Sequence, residues 1–183
     1  MYDVTNAYME NGLKVILHNI PEAKTVSCGL WISQGSKHEN EQNNGLSHLI
    51  EHLVINPENK ENQVYAELAY KAASEGVIYN AATTKEYTCF YYTGLKSTLD
   101  ICLSCLAQVA IFNRNFEYNF FENEKKVVLQ EATSFYSSFQ QIKERTSQAI
   151  WGDVGIGKII MGDMQLIKNV TQEQVKTLLE ATY

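Results

Sequence analysis

No apolar run in this chain approaches the ~18–20 residues of a membrane span, which argues against a membrane partner. Two prolines and ten glycines among 183 residues are too few for a collagen-like or proline-rich linker sequence. The opening MYDVTNAYMENG lacks the basic-then-apolar order of a secretory signal. Basic side chains are outnumbered, 15 against 21 acidic, and the net charge of −6 argues against general nucleic-acid binding. Cysteine is sparse: Cys28, Cys89, Cys102 and Cys105. The last two form a CxxC, but no second CxxC completes four thiolate ligands. LDICLSCLAQVAIF reads as an apolar helix whose cysteines pack as small hydrophobes. With no signal, that usage points to a reducing cytoplasm. What remains is globular, at 45% hydrophobic and 20% charged residues. Residues 1–183 read as a single domain, long enough to bury roughly two-thirds of its unfolded surface without a disulfide.

Strand-like runs at Val4–Met9 and Leu13–His18 flank an Asn11-Gly12 hairpin signal, and Lys24–Ser33 is a third strand candidate. Gly45–Ile55 switches to helical spacing, with Leu46, Leu49, Ile50 and Leu53 on one stripe. Val64–Ala73 is a second helix, and Gly76–Tyr92 returns to β-type residues. Leu99–Phe112 and Tyr118–Ile150 are helical. Gly152–Lys168 is glycine-punctuated and predicted as loop, and Thr171 with Gln174 forms a capping box for a last helix. The mixture is α+β: an antiparallel or mixed sheet covered by helices.

The informative stretch is His48-Leu-Ile-Glu51-His52. On a helix, positions i, i+3 and i+4 share a face, so both imidazoles and the carboxylate project together. Two histidines so spaced can bind one Zn²⁺, and the acid between them sits where a general base belongs. This is the inverted zincin pattern, HxxEH, which chance supplies in roughly 1% of such chains. A catalytic zinc needs a third protein ligand. The later FFENEKKVVLQEATSFY carries Glu124 and Glu131 seven residues apart on one helical face, with Val127 and Val128 between them at core spacing. Two carboxylates on an apolar face need a positive partner. A zinc site supplies it, one acid as ligand and the other behind a ligand imidazole.

These residues resemble the insulinase/pitrilysin metallopeptidase family. GSKHENEQNNGLSHLIEHL is similar to its GSR-x-E…G-x-x-H-x-x-E-H block, and YNAATTKEYTCFYY to its N-A-x-T-x-x-x-x-T-x-Y block. FENEKKVVLQEA resembles its E-x-x-x-V-x-x-E helix, and MGDMQLIKNVTQEQVKTLLEATY the segment closing that half. The resemblance implies His48, His52 and Glu131 as zinc ligands, Glu51 as base and Glu124 as the supporting acid. It also implies that Asn80 and Ala81 lie on an edge strand that takes substrate as an added strand. The implied activity is a zinc endopeptidase acting on short or unfolded peptides, with leader removal from a ribosomally made peptide as one role. The alternative is a non-catalytic or partner-dependent subunit of a heteromeric processing peptidase.

Two departures stand out. After His52 the family has F-x-G-T, whereas this chain has INPENKEN, a change expected to touch no ligand. The chain also matches only the zinc-bearing half of a two-half unit, ending near a further strand. The resemblance therefore implies a truncated chain, or a homo- or hetero-oligomer that borrows a second half. Gly152–Lys158 fits the phosphate-loop spacing G-x-x-x-x-G-K, but it follows a helix and has Ile159 where Mg²⁺ needs a hydroxyl, so nucleotide binding is not expected. His18 and His38 read as an ordinary strand histidine and a solvated one.

Overall fold

Asn11 and Gly12 make the first reversal of the chain. Gly12 takes φ +86°, which an L side chain resists, and Asn11 Oδ1 accepts the Leu13 N–H. The resulting hairpin pairs β1 (Asp3–Tyr8) with β2 (Lys14–Asn19), antiparallel. The computed structural model describes residues 3–111 and 115–183. Contrary to a single sheet, β1 and β2 form their own two-stranded ribbon. The second sheet holds β3 (Thr25–Ile32), β4 (Ile78–Thr83) and β5 (Thr88–Leu95) in the order β3-β5-β4, again antiparallel. No parallel pair occurs among the described residues, so the pairing is antiparallel rather than mixed. β4 is thereby an edge strand with one backbone side unpaired in the sheet.

α1 (Leu46–Ile55) and α3 (Leu99–Ala110) pack on this sheet, α2 (Gln63–Ser74) lies against α3, and α4 (Tyr118–Tyr136) lies against α1. The expected stripe holds: Leu46, Leu49, Ile50 and Leu53 are all buried between these layers. α3 ends at Ala110, and Phe112, its expected end, lies outside the described residues. The expected helix 118–150 is broken after Tyr136 and resumes as α5 (Gln141–Trp151). At the break the Ser137 and Ser138 hydroxyls bond the Thr133 and Phe135 carbonyls, giving partners to acceptors at the end of α4. The predicted loop 152–168 contains α6 (Met164–Asn169), whose first N–H groups are capped by Asp163. The Thr171–Gln174 capping box starts α7 (Gln172–Thr182) as expected. The fold class is α+β. Among the described residues, no helix is long and apolar enough to cross a membrane.

Two tertiary devices set the start of α1. The buried Glu39 carboxylate accepts N–H bonds from Gly45 (2.8 Å) and Ser47 (2.7 Å) and one from the Asn44 amide (3.0 Å). Burial pushes this carboxyl up, against the pull of those bonds. The segment just before α6 then crosses the helix start backbone to backbone. A Cβ on Gly162 would stand 2.3 Å from the Gly45 Cα.

The cysteines belong to the packing. Cys102 and Cys105 are fully buried, and all four thiols are free. Burial, aided by Cys102 and Cys105, pushes the Cys28 thiol up to about 12. Alkylation requires the thiolate. At pH 8, therefore, Cys28 in the folded protein should react with iodoacetamide at least 100-fold more slowly than in urea. Mass spectrometry of the labelled protein reads this, and equal rates in the two states would contradict the packing.

Candidate metal centre

α1 carries His48, Glu51 and His52 toward α4, which carries Glu124 and Glu131. The two Nε2 atoms are 3.3 Å apart, and Glu131 Oε2 lies 3.6 Å from His48 Nε2 and 3.4 Å from His52 Nε2. Ligands ~2.0–2.1 Å from a tetrahedral Zn²⁺ sit roughly 3.3–3.4 Å from one another. The three atoms thus outline one face of such a site, with the fourth position open. The donor set, two nitrogens and a carboxylate oxygen, suits zinc. It is the one such cluster of three or more histidine, cysteine or acidic residues among the described residues.

The electrostatics are uneven. Burial, aided by His52, lowers the His48 imidazole to about 4, so this ring is neutral near pH 7. Burial also pulls His52 down, but the Glu124 bond and the charges of Glu131 and Glu51 outweigh it and raise its pKa. Two facing ring nitrogens at 3.3 Å then leave room for one cation: a proton on His52, or a metal. Glu124 Oε2 stands 3.4 Å from His52 Nδ1, on the far side of the ring from Nε2. Val128 between the two acids is buried, but Val127 is exposed, contrary to core spacing for both. The reason is that Val127 lines a groove of about 520 Å³ beside Glu131, together with Phe135 and Met161.

Glu51 is held by a residue that spacing did not single out. Thr83 Oγ1 donates to Glu51 Oε2. Burial raises the Glu51 carboxyl, and the Thr83 bonds and the His52 charge oppose that rise. Thr83 ends β4, the edge strand that also carries Asn80 and Ala81. Asn80 is exposed, Ala81 is buried, and the Ala81 N–H bonds Asn80 Oδ1 at 2.9 Å. The only hint of Thr83 in the sequence is its place in the N-A-x-T run. His38 is exposed and bonds the Gly35 N–H through Nδ1, and His18 lies on β2. Lys158 of the phosphate-loop lookalike is buried, with its Nζ 3.7 Å from Asp153, and the segment follows α5.

Residues 14–164 match Insulinase (peptidase family M16). The chain belongs to this family. It is 29% identical over 175 residues to the zinc protease YmxG of Bacillus subtilis, covering 95% of this chain and 42% of that protein. It is 28% identical to the rat mitochondrial-processing peptidase subunit beta, over 96% of this chain and 35% of that one. The chain therefore spans less than half the length of these insulinase-family relatives. A protease from Helicobacter pylori has the same fold at TM-score 0.84 and 20% identity, covering 97% of this chain and 43% of that one. The periplasmic protease PqqL of Escherichia coli matches at TM-score 0.77 and 19% identity, over 97% of this chain and 20% of that chain.

Proposed function

We propose that this chain is the zinc-bearing half of a cytoplasmic insulinase-family endopeptidase. The reading rests on one observation: His48, His52 and Glu131 converge within bonding range of a single ion, with Glu51 on the same helix. Zinc held there supplies Lewis acidity toward a carbonyl oxygen and lowers the pKa of a water. Glu51, steadied by Thr83, takes a proton from the attacking water and returns it to the leaving amide nitrogen. The free edge of β4, with Asn80 and Ala81, receives the peptide as an added strand, gripping main chain rather than a specific side chain. That suits short or unfolded peptides, among them the leader of a ribosomally made peptide. A relative named as a subunit, and the less-than-half coverage, support a second peptidase-like half from a partner or a second copy.

The test is cleavage of a quenched fluorescent peptide of unstructured sequence by the purified protein, alone and mixed with a candidate second half. Cleavage that a chelator abolishes and zinc restores is the expected result. Zinc uptake without cleavage in either mixture would leave a non-catalytic subunit instead. A hydrogen bond to a charged group is worth ~1.5–3 kcal/mol. Thr83→Val should therefore lower kcat about tenfold or more, leaving zinc content unchanged, while Thr83→Ser keeps most activity. Steady-state kinetics with metal analysis reads both.

A further inference from the structure

The two imidazoles present Nε2 alike, but their far nitrogens differ. His48 Nδ1 is buried and has no hydrogen-bond partner, so nothing orients that ring from behind. His52 Nδ1 faces Glu124 Oε2 at 3.4 Å. The other oxygen of Glu124, Oε1, accepts a 2.8 Å bond from the Asn56 amide. Asn56 follows α1 directly, and its own N–H donates to the His52 carbonyl. Its Oδ1 accepts the Glu58 N–H at 3.0 Å, which fixes the amide with its NH₂ group toward Glu124. Asn56 lies in the INPENKEN stretch, residues 55–62. That segment was expected to touch no ligand. It reaches one through a single carboxylate.

We propose that Asn56 is a positioning residue for the metal centre: it clamps Glu124 so that the carboxylate holds the His52 ring with Nε2 toward the ion. The argument rests on the zinc site of the proposed function. His48 lacks an equivalent support, so the orientation of the ligand set depends on this one chain of bonds. Partners behind a ligand histidine typically contribute 10–100-fold in metal affinity. The structural alternative is that Asn56 merely caps α1 and turns the chain for Glu58.

The two roles separate by substitution. Asn56→Ser keeps an oxygen near the Glu58 N–H but is too short to reach Glu124. Asn56→Asp keeps the turn oxygen and sets a carboxylate against Glu124. Zinc affinity is read by competition with a chromophoric chelator, and ligand geometry by the visible spectrum of the Co²⁺-loaded protein. Melting temperature reports the fold. The expected result is about tenfold weaker zinc binding for Asn56→Ser, more for Asn56→Asp, with an altered cobalt spectrum. In a Glu124→Ala background, Asn56→Ser should add less than a twofold change, because the clamp has nothing left to hold. Asn56→Ser binding zinc within twofold of wild type, with an unchanged cobalt spectrum, overturns the inference while the metal site stands. If wild type takes up neither metal, the metal site fails and the inference with it. An equal added loss in the Glu124→Ala background would mean that Asn56 acts as a helix cap only.

Discussion

For the proposed peptidase, Glu51→Gln is expected to keep its zinc and to lose ~10²–10⁴-fold in peptide cleavage. The amide is nearly isosteric with the carboxylate and still accepts from Thr83 Oγ1, so packing on α1 is preserved. It cannot take a proton at neutral pH. His48, His52 and Glu131 are untouched, so metal content, read by atomic emission, stays at the wild-type value. The contrast is the informative part. Loss of zinc and activity together would give Glu51 a ligand or folding role, and full activity in the variant would remove the base from the mechanism. Unlike Glu39, which closes the start of the helix with three hydrogen bonds, Glu51 has few structural duties to lose.

Removing Glu131, the proposed ligand on α4, should have the second large effect. Structural zinc sites bind with ~10–16 kcal/mol shared over four ligands, so each is worth a few kcal/mol. Glu131→Gln should therefore weaken zinc binding on the order of 10²–10³-fold by chelator competition. Glu131 is about half exposed, and the neutral amide buries no stranded charge. The fold should survive, with the melting temperature of metal-free protein near that of wild type. The wild-type advantage should appear only with zinc, because an ion that binds the folded state alone raises stability in proportion to the logarithm of its concentration over Kd. Equal zinc affinity in the variant would take Glu131 out of the ligand set and leave two histidines, too few for a catalytic site.

The helical face of His48, Glu51 and His52 was readable because one helix carries all three residues and helical spacing is fixed. Glu124 and Glu131 were readable for the same reason on α4, and the apolar stripe of α1 followed from its period. Long-range partners left no such trace. Thr83 reaches Glu51 across 32 positions and Asn56 reaches Glu124 across 68. Neither pairing has a period, and each residue alone reads as ordinary turn or strand chemistry. The break after Tyr136 was missed because two serines in an otherwise helical run carry a weak local signal that tertiary packing decides. By itself, then, the sequence determined which faces carry imidazole and carboxylate, because local geometry follows from local covalent structure. Only the tertiary structure decided that α1 and α4 bring those faces within 3.3–3.6 Å. That convergence depends on the packing of helices against a sheet and on the Gly45–Gly162 crossing, which no short stretch of chain encodes.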